Sequence, residues 1–205
     1  MGALINTYVE RAQLNQNLVT RPMTRVRPRY LPPARRKPRQ GSPTMGSLLR
    51  TIQPDPSRSL LLGQCDDGRP FLVELGDPEM GSILVSCDKG CGKTHQLQVM
   101  VDSAIRLNAP RSLQFGVLTL KPGEWQSWQS EPKWMKHLQG IYAWYDPWAE
   151  SFIQTLVDLA EARRDGERLG ADVILILDDL NFIDELSYEA QVNVYWLLEY
   201  GAHSG

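Results

Sequence analysis

The sequence predicts an α/β fold: a parallel β-sheet flanked by helices, preceded by a β-hairpin and a basic, proline-rich arm. Short apolar runs at 82–86, 115–120 and 172–177 alternate with stretches of helical periodicity, the pattern of strands joined through helices. The glycine-rich turn Gly90-Cys91-Gly92-Lys93-Thr94 stands between one such run and a helix. Charge is also segregated along the chain. Residues 1–44 carry nine Lys/Arg against one acid, Glu10, whereas 146–199 carry thirteen Asp/Glu against three Arg, within a net charge of only −2. A basic front and an acidic rear are thus hidden in a near-neutral total.

A chain of 205 residues holds one well-cored domain plus a tail. With 42% hydrophobic and 22% charged residues its composition is that of a soluble globular protein. No apolar stretch reaches the ~18 residues of a bilayer span, and no apolar run with a small-residue cleavage site opens the chain. Cys65, Cys87 and Cys91 are an odd, sparse set. They do not form a disulfide framework, have no histidine at zinc-ligand spacing, and fit a reducing, cytoplasmic location.

The elements follow in order. Residues 1–19 are read as an N-terminal segment with a docking helix over 3–19, where Thr7 to Glu10 has capping-box spacing and Ile5, Val9 and Ala12 share a face. Residues 20–58 are a basic linker in which Pro22, Pro28, Pro32, Pro33, Pro38 and Pro43 exclude a regular helix. The ordered domain is expected over 59–205. Leu60–Gly63 and Phe71–Leu75 read as hairpin strands joined through Asp66-Asp67-Gly68. Ile83–Ser86 reads as a short buried strand, Thr94–Arg106 as a helix and Phe115–Leu120 as the next strand. A helix is expected over 149–169. Asp172–Leu177, almost wholly apolar, reads as a strand buried on both faces, and a last helix is expected over 189–200.

The strand–loop–helix context around Gly90–Thr94 is the one that phosphate cradling requires. Glycines let successive N–H groups of Asp88, Lys89, Gly90, Cys91 and Gly92 curl toward phosphate oxygens. The following helix aims its positive end at the same anion. Lys93 supplies a cation for the outer phosphates and the Thr94 hydroxyl a ligand for Mg²⁺. The expectation is a P-loop NTPase-like sheet that binds ATP with Mg²⁺. Cys87 occupies the place of the first glycine of the usual pattern.

Such a site needs carboxylates as well. The Val173–Leu177 strand ends in Asp178-Asp179, and acids at the carboxyl end of a strand in an open parallel sheet face the ligand crevice. Asp178 is the candidate Mg²⁺-side carboxylate and Asp179 the candidate base that polarises water, so that Lys93, Asp178 and Asp179 form the catalytic set.

With those residues in view, the chain resembles the FtsK/SpoIIIE family within the HerA–FtsK group over about 59–205. The hairpin elements Leu61-Leu62-Gly63-Gln64, Gly68-Arg69-Pro70 and Val73-Glu74-Leu75, the loop Gly90–Thr94, and Leu118–Pro122, Glu161–Arg164, Ile176–Leu180 and Tyr200–Gly205 are similar to that family's segments in their order. The resemblance implies ATP hydrolysis in a homo-oligomeric, usually hexameric ring that translocates double-stranded DNA. Asp179 departs from the family's usual Glu. The sequence also ends at Gly205, before the strand expected to carry a polar sensor, so a truncated domain is expected. A conjugation or packaging ATPase of the same group, and a non-hydrolysing ATP-binding assembly module, are the alternative functions.

Three further features stay open at this level. The segment 21–39 reads either as an arm on DNA phosphates or as a solvated linker. The tryptophans between Trp125 and Trp148 are expected to pack a small subdomain rather than line a partner surface. Cys87 and Cys91 are either small fillers of a tight loop or thiolates favoured by Lys89, Lys93 and the helix N-terminus. No bond between them is expected, because the loop curls around phosphate.

Overall fold

A central strand with a partner on each side organises the domain. In the computed structural model, which describes residues 43–52, 58–75, 77, 80–167 and 170–204, the strand β3 (Leu113–Thr119) pairs in parallel with β4 (Leu138–Ala143) and with β5 (Asp172–Asp178), giving the order β4-β3-β5. The register joins Thr119 to Ala143 on one side and to Asp178 on the other. The carboxyl ends of all three strands therefore meet at one edge of the sheet. The helix expected over 3–19 and the arm over 21–39 lie outside the described residues.

The period of two along β3 sends its side chains to two different cores. Phe115 and Val117 pack with Val101, Ile105, Trp125, Trp128 and Ile176 beneath α2 (Lys93–Leu107). Leu118 lies on the other side with Phe152, Ile153, Leu156, Phe182 and Val194, in the layer formed by α5 (Pro147–Arg164) and α6 (Tyr188–Tyr200). The sheet is thus flanked by helices on both faces. Gly116 is needed for the second contact, since a Cβ on it would lie 2.2 Å from the Phe152 ring.

The remaining elements fit around this frame. α1 (Met45–Leu49) is a five-residue helix capped by the Thr44 side chain, which accepts from Ser47 N at 3.2 Å, and it buries Leu48. β1 (Ser59–Gln64) and β2 (Pro70–Glu74) form an antiparallel pair. At their turn the Arg69 guanidinium, 2.6 Å from Asp67, holds the Asp67 carboxyl below the usual carboxylate range. Leu60 and Val73 of this pair pack on Met100 and Ala104 of α2. The fully buried Ser103 hydroxyl accepts from Leu61 N at 2.9 Å, pinning β1 to the helix. α3 (Gln126–Ser130) and α4 (Pro132–Met135) lead into β4. Trp128 stacks on Trp134 and meets Trp125 at a tilt, so these three tryptophans pack a substructure, whereas Trp148 is exposed.

Two expectations are corrected. Ile83–Ser86 is not a strand: residues 81–88 pair with no strand, and Leu84 is 75% exposed. An apolar run becomes a strand only where a neighbouring edge satisfies its backbone groups; the β5 edge lies instead across a cleft from it. Cys87 and Cys91 are joined by a disulfide. The turn at Gly90, with φ of +82°, folds the loop back so that their Cα atoms lie 6.2 Å apart, inside the range a disulfide spans. The strand β4, in which an exposed Gln139 precedes Gly140, was not among the expected elements.

Candidate functional site

The loop from Cys87 to Gly92 enters α2 without any side-chain cap. Gly92 at the N-cap has φ of +93°, a left-handed conformation that glycine adopts without steric penalty. The first N–H groups of the helix therefore lack a side-chain acceptor and remain available to an anion. Among the described residues Asp179 is the one non-glycine with positive φ. Cys87, standing where the usual pattern has glycine, thus does not require glycine's conformational freedom.

Lys93 begins α2 and turns back over the loop. Its Nζ donates to the carbonyl of Cys87 at 2.8 Å and of Asp88 at 3.3 Å. Asp88, Lys89, Gly90 and Cys91 are exposed, and Cys91 N donates to Asp88 O at 3.2 Å. The loop is closed on itself, with the Lys93 ammonium bonded to its carbonyls.

Thr94, the next residue, reaches the sheet. Its Oγ1 donates to Asp178 Oδ1 at 3.0 Å. Asp178 is only 7% exposed, and a buried carboxylate persists only where donors surround it. Trp125 Nε1 donates to Oδ2 at 2.9 Å, and the Thr119 hydroxyl lies 3.5 Å from the same oxygen. Trp125 and Thr119 are site residues that the sequence analysis missed. Thr119 ends a strand in register with Asp178, which is a legible signal once the sheet order is known. No local signal marks Trp125, which is 53 residues from Asp178 in the chain.

Asp179 is exposed and turned differently. Its backbone is at φ +86°, ψ +107°, and Oδ1 accepts from Asn181 N at 3.1 Å and Asn181 Nδ2 at 2.6 Å. It therefore caps the short 3₁₀ helix Leu180–Glu185. Non-glycine residues in such conformations are held there by their surroundings at a cost of about 1–3 kcal/mol.

These residues share one cleft of about 1250 Å³ between 80–95 on one wall and β5 on the other. Lys93, Thr94, Asp178 and Asp179 line it together with Asn181. The arrangement offers an ammonium, uncapped helix N–H groups, a hydroxyl and two carboxylates to a ligand in one concavity. Thr94 Oγ1 and Asp178 Oδ1 are hard oxygen donors at one point, the kind that Mg²⁺ accepts alongside phosphate oxygens and water. Among the described residues no group of three His, Cys, Asp or Glu could hold a metal. No helix among the described residues is long and apolar enough to cross a membrane.

No protein-family model matches the sequence, and no curated protein matches it. Among solved structures the chain is similar to Thermomonospora curvata EccC (ATPases 2 and 3) in complex with a signal sequence peptide. The TM-score is 0.54 at 18% identity, over 73% of this chain and 31% of that one. It is similar also to the cytoplasmic domain of the Thermomonospora curvata type VII secretion ATPase EccC, with TM-score 0.54 at 20% identity, over 72% of this chain and 20% of that one. The chain therefore spans under a third of the length of either structure, and the likeness establishes its fold, the α/β fold of the EccC ATPase domains.

Proposed function

We propose that this chain binds ATP with Mg²⁺ at the loop Asp88–Thr94 and hydrolyses it to move a polymer cargo, double-stranded DNA in the first instance, as a subunit of a homo-oligomeric ring. The observation that carries the nucleotide reading is the 3.0 Å hydrogen bond between Thr94 and Asp178 beside the Lys93 loop. A hydroxyl at a helix start and a carboxylate at a strand end converge there on one point. Likeness in fold to ATPase domains supports the same reading.

Each residue then has a role. Lys93 exchanges its loop carbonyls for the outer phosphates, and the N–H groups of Gly90, Cys91 and Gly92 face the phosphate oxygens. Thr94 and Asp178 would hold Mg²⁺, which neutralises charge on the phosphates when bound. Asp179, its Oδ1 engaged by Asn181, orients the attacking water through Oδ2. The hydrogen-bond set around Asp178 is built by β3, β5 and Trp125.

The test is binding of a fluorescent ATP analogue to the parent chain and to Lys93→Ala. Loss of a charge-assisted contact should weaken affinity by about 10–100-fold. Equal binding by the variant would remove the assignment.

A second reading concerns the cargo. One of the similar structures holds a signal sequence peptide, which favours a polypeptide cargo over DNA. Turnover stimulated by double-stranded DNA supports the first reading; turnover stimulated by extended peptides and indifferent to DNA supports the second.

A further inference from the structure

The disulfide between Cys87 and Cys91 has no part in the chemistry above, yet it spans the loop assigned to phosphate. Its ring encloses Asp88, Lys89 and Gly90. The same segment is held from within by Cys91 N on Asp88 O, and from α2 by Lys93 Nζ on the carbonyls of Cys87 and Asp88. The two Lys93 bonds turn carbonyl oxygens, not N–H groups, toward the ammonium, and Cys91 N is engaged within the loop. A loop that cradles phosphate needs the opposite presentation, with N–H groups directed at the anion and the ammonium released to it.

We propose that Cys87 and Cys91 form a thiol–disulfide switch on nucleotide binding, with the disulfide form closed and the dithiol form competent. This inference rests on the nucleotide reading given above. The bond restricts the five residues from 87 to 91 to shapes in which their ends stay 6.2 Å apart. Reduction frees the backbone on both sides of Gly90, whose φ of +82° already shows a glycine-dependent turn. The N–H groups can then rotate inward as Lys93 leaves the carbonyls. Both cysteines are exposed, so small thiols and disulfides reach them.

The exchange balances with a low-molecular-weight disulfide such as glutathione disulfide. One protein thiolate attacks a sulfur of that disulfide, forming a mixed disulfide and expelling one small thiolate. The second protein thiolate attacks the protein sulfur of the mixed disulfide and expels the other. Two protein thiols lose two electrons to become one disulfide, and the small disulfide gains them as two thiols, which carry away the two protons. A dithiol reductant reverses the sequence.

The experiment uses the full chain with Cys65→Ser, which removes the exposed free cysteine in the β1–β2 turn. The protein is equilibrated with glutathione disulfide or with a dithiol, its bond state is read by intact mass, and affinity for a fluorescent ATP analogue with Mg²⁺ is measured. If the closed loop populates the competent shape about a tenth of the time, the oxidised form binds about tenfold more weakly than the reduced form. In the variant with both Cys87→Ser and Cys91→Ser, which leaves no thiol for glutathione to cap, the ratio between the two conditions should fall to one. Reduced and oxidised forms that bind equally, or a pair that glutathione disulfide leaves unoxidised, would overturn the switch while leaving the nucleotide reading intact. A reduced protein that binds no nucleotide would instead overturn the nucleotide reading and the switch with it.

Discussion

Trp125 Nε1 donates to Asp178 Oδ2 at 2.9 Å, across 53 residues of chain, with both side chains buried. The indole is thus the fixed partner of one carboxylate oxygen, while Thr94 Oγ1 takes the other. A carboxylate held at both oxygens is aimed as well as satisfied by its donors. The same ring packs against Trp128, so its position is set by the core beneath α2 and not by the loop it serves.

Replacing Trp125 by Phe keeps an aromatic ring but leaves Asp178 Oδ2 short of a donor. The expected loss is about 1–3 kcal/mol of stability, read from urea unfolding by circular dichroism. Weaker Mg²⁺-dependent ATP affinity should accompany it. Trp128→Phe is the control, since it disturbs the same aromatic group but carries no bond to Asp178. If both variants lower Mg²⁺-dependent affinity equally, the indole–carboxylate bond has no special role.

Asp179→Asn should leave nucleotide bound but uncleaved. Asparagine tolerates positive φ, so the backbone at φ +86° is preserved while the charge is lost. Removal of a positioned base lowers turnover by about 10²–10⁴-fold. Single-turnover hydrolysis alongside equilibrium binding separates the two effects. Unchanged turnover would reduce Asp179 to the cap of the Leu180–Glu185 helix.

Gly116→Ala tests the packing of α5 on the sheet. The added methyl would sit 2.2 Å from the Phe152 ring, which must move within a filled core. Overpacking of this kind costs about 1–3 kcal/mol, seen as a lower denaturation midpoint. Phe152→Leu should recover part of that loss in the double variant. Additive losses would show that the two sites do not meet.

For the arm, removal of residues 1–42 ahead of Pro43 deletes eight Lys/Arg between 21 and 39. Each phosphate contact contributes about 0.9 to the slope of log affinity against log salt. Sequence-independent DNA affinity should therefore fall, and its salt slope flatten. The same slope before and after deletion would leave the segment as a linker only.

Part of this protein is legible in its sequence because it is local. The apolar run Val173–Leu177 and the periodicity of 94–106 need no distant partner to be read as a strand and a helix, and the structure has β5 and α2 there. Glycine at 90 and 92 likewise announces turns that only that residue adopts freely, and both have positive φ. Tertiary structure alone decided the rest. Thr94 and Asp178 are 84 residues apart and meet only because α2 packs across β3 and β5. Trp125 reaches Asp178 through the core, without any signal of sequence spacing. Ile83–Ser86 has the composition of a strand but no adjacent edge, and composition cannot supply the hydrogen-bonding partner that makes a strand. The Cys87–Cys91 bond depends on the fold of a four-residue turn, since sulfurs bond where geometry brings them together and not where residues are merely near in sequence.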